Sequence, residues 1–285
     1  MNRVSGFSSL IAVGAVLLLC LAGTSHASMT LVDEDFDSMG SAAGTSTVPA
    51  GWIAGYLANR PSRVVMSPYA ANGQAITAMT IYSVAAVGPN DYRTVYNGGT
   101  LTDVGHVFNC GGLGEADRAL GNYPRTTNSG DQVMQVAFSN TSGVTITAIQ
   151  LDYDMEQWGQ AQGTSSSGPE VVRVLLSSTS DSAGFVYMGT AFDGVAPKQG
   201  ALSPYSVLDG NLAANRVHVS GIYTLADPLA PGASMWLRFH DWNDNNTTDH
   251  LLAIDNVVVT AIPEPASMAL LALGGLGLIR RRTKK

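Results

Sequence analysis

The sequence predicts an all-β protein: one antiparallel, jelly-roll-like β-sandwich, flanked by an N-terminal signal helix and a short C-terminal hydrophobic helix. Three observations predict it. The middle of the 285-residue chain is rich in Gly, Ser, Thr, Val and Ala, and helical periodicity is scarce there. Short β-type runs recur between turn residues. Within those runs apolar side chains alternate, as they do on a strand with one face in a core.

The first element is Met1–Ala27. Arg3 lies in a polar start, an apolar run follows from Leu10 to Ala22, and Ser25-His26-Ala27 puts small residues at the last and third-last positions. This is the pattern of a secretory signal peptide, cut between Ala27 and Ser28. The run is too short for a comfortable membrane span, which needs about 20 apolar residues.

The body, residues 28–262, reads as one domain. Its clearest strands are Gln132–Phe138, Thr145–Tyr153, Glu170–Leu176, Met235–Trp242 and Leu251–Thr260. Ile149, Leu151 and Tyr153 alternate with Ala148, Gln150 and Asp152. Met235, Leu237 and Phe239 share one face, leaving Trp236 and Arg238 on the other. Gly40–Gly51, Gly159–Pro169 and Asn243–His250 read as loops.

Composition narrows the function. Between Ser28 and Ile262 there are nine basic and twenty-one acidic residues, a balance of −12. Such a body repels nucleic-acid phosphate, so no nucleic-acid partner is expected. Removing the leader leaves one cysteine, Cys110, which excludes an internal disulfide. No helical flank or basic neighbour in sequence activates its thiol, so it reads as a small buried residue. His106, His218, His240 and His250 lack zinc-ligand spacing. No nucleophile elbow or phosphate-binding Gly-rich motif is present.

The last element is residues 263–285. Pro263-Glu264-Pro265 precedes an apolar stretch, Ala266–Ile279, and then Arg280-Arg281-Arg282. Fourteen residues make a helix of about 21 Å, short of the roughly 30 Å hydrocarbon core. The basic cluster would stay cytoplasmic. This segment resembles the PEP-CTERM sorting signal of Gram-negative bacteria. The resemblance implies transient insertion in the inner membrane, recognition by an exosortase, removal of the tail, and delivery to the cell surface or extracellular matrix.

Two further resemblances cover the body. Asp117-Arg-Ala-Leu-Gly121, Val136–Ile146 and Asp152-Tyr-Asp-Met-Glu-Gln-Trp158 look like an extracellular β-sandwich module of secreted bacterial proteins; where that pattern has Arg, this chain has Gly159. Val32–Asp37, Pro49-Ala-Gly-Trp52 and Ala253–Val258 are similar to jelly-roll domains of the cleaved-adhesin and carbohydrate-binding-module type. That likeness implies a structural Ca²⁺ held by Asp37 and Asp255; Asp35, on the same face as Asp37 if the segment is extended, is a further candidate carboxylate.

The remaining chemistry lies in carboxylates and tryptophans. Asp152, Asp154 and Glu156 alternate along one strand and point the same way. An ion pair of Arg118 with Glu156, near Trp158, is the expected structural use, because a buried charge is costly alone. A pair of carboxylates could also serve glycoside hydrolysis. Trp52, Trp158, Trp236 and Trp242 are core fillers or sugar platforms, with Trp236 the best placed to point outward. The preferred reading is a non-enzymatic structural or adhesive protein of the extracellular polysaccharide layer. A carbohydrate-binding module with a defined glycan site is the second reading, and a carboxylate-dependent glycan hydrolase the third.

Overall fold

The computed structural model describes residues 28–41, 45–57, 76–78, 81–83, 106–112, 115–124, 131–160, 169–199, 206–242 and 250–263. The signal segment and nearly all of the sorting tail, with their expected helices, lie outside the described residues. So do most of the Gly159–Pro169 and Asn243–His250 loops.

The strands are β1 (Met29–Glu34), β2 (Thr45–Ser46), β3 (Trp52–Leu57), β4 (Ile76–Ala78), β5 (Ile81–Ser83), β6 (His106–Cys110), β7 (Ala119–Tyr123) and β8 (Gln132–Ser139). They continue with β9 (Ile146–Gln160), β10 (Val171–Ser177), β11 (Val186–Tyr187), β12 (Gly194–Val195), β13 (Ser206–Val207), β14 (Arg216–Leu229), β15 (Ser234–Asp241) and β16 (Leu251–Pro263). Among the described residues, the only helical pieces are three single 3₁₀ turns.

Two sheets form. In the first, β9 lies between β14 and β16, and β16 carries β1 and β7 on its other side, followed by β6, β5 and β2. In the second, β15 lies between β10 and β8, and β8 leads to β3 and β4. The pairing is antiparallel except between β5 and β6, which run parallel. That pair departs from the wholly antiparallel expectation.

The core lies between the sheets. Ile149, Leu151 and Tyr153 of β9 meet Met235, Leu237 and Phe239 of β15 within one apolar cluster, as the alternation predicts. The rings of Tyr153 and Phe239 make an edge contact at 5.0 Å, and Phe239 stacks on Trp52 at 6.2 Å. At Asn256 β16 bulges, with φ 50° and a register shift between Asp255 and Val258. Asn tolerates this left-handed conformation better than most residues. The bulge keeps both Ile254 and Val257 in the core while Asp255 faces outward. A smaller apolar cluster of Phe108, Cys110, Tyr123, Trp158 and Ala253 lies on the outer side of the first sheet.

Candidate functional sites

The acidic segment after β1 folds its own turn. Glu34 Oε1 accepts the Phe36 N–H at 2.9 Å, and Asp35 Oδ1 accepts the Asp37 N–H at 3.1 Å. These bonds hold Phe36 at φ 57° while its ring packs fully buried against Trp52. Asp37 then reaches 81 residues along the chain, its Oδ1 accepting the Arg118 N–H at 3.0 Å. The acids expected to face a cation are thus partly spent on local backbone donors.

Arg118 is buried just before β7. Its Nε donates to Asn109 Oδ1, its Nη1 to the Gly112 carbonyl and its Nη2 to the Asn109 carbonyl. The Asn109 amide in turn donates to the Met39 and Gly40 carbonyls. The network ties the turn after β1 to β6. Burial lowers the Arg118 pKa, with nearby acids opposing the shift. Cys110 beside it is fully buried, and burial raises its thiol well above the ordinary range.

Glu156 lies on the outer face of β9. Its Oε2 accepts the Trp158 indole N–H at 2.9 Å, and its Oε1 has no hydrogen-bond partner. Arg216 of β14 faces it, with Nη1 3.8 Å from Oε1. Arg118 and Glu156 both act electrostatically on the Cys110 thiol, but their polar contacts differ from the mutual pair expected of them. The physical reason is the strand register: Arg216 stands directly opposite Glu156, while Arg118 is turned toward Asn109. Burial pushes Glu156 up to about 7 despite the indole bond.

The rest of that face is cross-strand pairing. His218 Nδ1 lies 2.9 Å from Asp154 Oδ1, and Ser220 donates to Asp152. Asp255 stands opposite Asp154 on β16. Its Oδ2 accepts from Asn256, and its Oδ1 is buried without a partner. Burial, then the charge of Glu156, pushes its carboxyl up to about 8. Among the described residues, no three His, Cys, Asp or Glu side chains are gathered closely enough to hold a metal by themselves. From the sequence, Arg216 and Ser220 were not singled out, and His218 only as a histidine without zinc-ligand spacing. Their signal was available, since they repeat every second residue exactly as Asp152, Asp154 and Glu156 do.

A groove of about 250 Å³ opens on the outer face of the second sheet. Ile53, Gln135, Ala137 and Trp236 line it from the strands, and Asp181 and Ser182 from the β10–β11 turn. Trp236 points outward as expected and is half-buried. Trp52 and Trp158 are buried fillers. Trp242 stacks on His240 and lies under the Arg173 guanidinium at 5.1 Å.

The tail identifies the export route. Residues 261–283 match the family model of the PEP-CTERM protein-sorting motif. That motif indicates a secreted, exosortase-processed protein of the surface or exterior. It overlaps the end of β16, Ala261–Pro263. Among solved structures, the K3 cleaved-adhesin domain of Lys-gingipain from Porphyromonas gingivalis w83 is similar over 81% of this chain and 99% of its own. Identity is 12% and the TM-score 0.38. An apo-form cyclase from Fischerella sp. is similar over 83% of this chain and 97% of its own, at 14% identity and a TM-score of 0.37. A carbohydrate-binding module that recognises mannan is similar over 52% of this chain and 75% of its own, at 12% identity and a TM-score of 0.29. No curated protein matches the chain in sequence. Among the described residues, no helix is long and apolar enough to cross a membrane.

Proposed function

We propose that this protein is a structural or adhesive component of the extracellular polysaccharide layer, delivered by exosortase and without enzymatic activity of its own. The PEP-CTERM motif on residues 261–283 carries the proposal. The outer carboxylates support the non-enzymatic part: Asp152 and Asp154 are engaged by Ser220 and His218 across the β9–β14 pair. Exchanging Pro263-Glu264-Pro265 for three alanines tests the route. The expected result is full-length chain retained in the inner-membrane fraction; unaltered processing and release would refute it.

A structural Ca²⁺ between Asp37 and Asp255 belongs to the same proposal. The buried, unpartnered Asp255 Oδ1 supports it, being an acceptor that a hard cation would satisfy. Backbone carbonyls and water would supply the remaining oxygens. A melting temperature that rises with Ca²⁺ and falls with EDTA is expected; an unchanged one would remove the metal from the account.

A second reading, glycan binding at a defined site, is favoured by the groove at Trp236. A half-buried, outward-facing indole beside a carboxylate and a hydroxyl suits a sugar ring.

A further inference from the structure

We infer that the groove on the outer face of the second sheet is a subsite for one neutral pyranose ring of a polysaccharide, stacked on Trp236 and hydrogen-bonded by Asp181. The inference rests on the glycan-binding reading and deepens it. Pockets for drug-sized ligands typically run to about 300–1,000 Å³, so about 250 Å³ suits a single ring.

The groove is held rigid from below. Arg238 is fully buried, with its guanidinium 3.7 Å above the Phe185 ring. Its Nε donates to Gln135 Oε1 at 2.8 Å. Its Nη2 and the Gln135 amide both donate to the Asp181 carbonyl, at 2.9 and 3.1 Å. Two buried side chains on neighbouring strands therefore clamp the turn that forms the groove wall. Ser177 Oγ secures the other end of that turn, donating to the Ala183 carbonyl at 2.6 Å. With the turn's own Ser177 and Ser180 bonds, these contacts preorganise the wall, which is what a small binding site needs.

Charge selects the ligand. The clamp engages the backbone of Asp181, and its carboxylate stays at the exposed wall, where it accepts sugar hydroxyls. A uronate or sulfate at the same place would face that carboxylate and a body of charge −12. The Arg238 guanidinium offsets part of the local charge, but it lies beneath the wall and is not a lining group. A neutral ring presenting a C–H face to the indole and hydroxyls to Asp181 meets neither penalty.

The test is calorimetric titration of the full chain with cellohexaose, mannohexaose, xylohexaose and a galacturonate hexamer. At least one neutral hexamer is expected to bind, with the galacturonate at least tenfold weaker. Trp236→Ala should weaken neutral binding at least tenfold, Trp236→Phe by less than about threefold, and Asp181→Asn by several-fold, all with unchanged melting temperatures. Neutral binding that Trp236→Ala leaves intact would overturn the groove while sparing the glycan-binding reading. Absence of binding to all four hexamers would overturn both. Preference for galacturonate that Trp236→Ala abolishes would keep the groove and overturn its assignment to neutral sugars.

Discussion

Glu156→Gln separates a burdened carboxylate from a useful one. Glu156 is fully buried, accepts one bond from the Trp158 indole, and leaves its second oxygen without a hydrogen-bond partner. Its pKa rises from 4.5 to about 7, mainly by burial. The sign follows: the folded state holds the proton more tightly than the unfolded chain. Stability is therefore fully present below pH 4.5 and is lost as pH rises through about 7. At about 1.36 kcal/mol per pH unit, ionisation at high pH costs the fold about 3 kcal/mol. Glutamine keeps the volume and the acceptor for Trp158 but cannot ionise. The variant should match the parent at pH 4.5 and exceed it by about 2–3 kcal/mol at pH 8.5. For a domain of this size that is a rise of roughly 5–10 °C in Tm. Urea unfolding in EDTA at both pH values measures it. Equal destabilisation at the two pH values would show that Glu156 is a well-paired anion, and the reasoning would fail.

Asp255, raised to about 8 by burial and by Glu156, adds to the same trend. In EDTA the protein should lose stability between pH 5 and pH 8, seen as a falling Tm, and Ca²⁺ should reverse the loss at pH 8. Gly210→Ala places a Cβ against the Trp158 indole, and overpacking of this kind costs about 1–3 kcal/mol. A lowered urea midpoint with altered near-ultraviolet dichroism is the expected result. Phe239→Ala empties the contact among Trp52, Tyr153 and Phe239, which should cost about 3–5 kcal/mol by urea unfolding. The Cys110 thiol should react with a disulfide reagent only in step with global unfolding, since it is fully buried and its thiolate is disfavoured. Fast reaction of the native protein would place it at the surface.

The sequence disclosed whatever depends on period two. Ile149, Leu151 and Tyr153, and likewise Met235, Leu237 and Phe239, fall on the core faces because alternation is a local property. The outward placement of Trp236 follows from the same rule. Partners across strands were less legible. Glu156 meets Arg216 rather than Arg118 because register joins residues 60 apart, and a single sequence carries no direct record of register. The burial of Arg238 was also hidden. Alternation places it on the outer face, and only the folded β10–β11 turn covers it there. The acidic run Asp33–Asp37 suggested a cation, whereas much of its acceptor capacity goes to its own backbone and to Arg118.

The last strand has a mechanical meaning. β9 grips β16 along one side from Leu251 to Pro263, and β7 and then β1 grip the other. The sorting motif begins before that strand ends. A load drawn through the tail, during export or at a tethered surface, therefore acts along β16 itself. Antiparallel ladder bonds lie perpendicular to the strand, so such a force shears many of them together instead of opening them one by one. The tail is thus continuous with a strand held on both sides within a sheet, and not with a free edge.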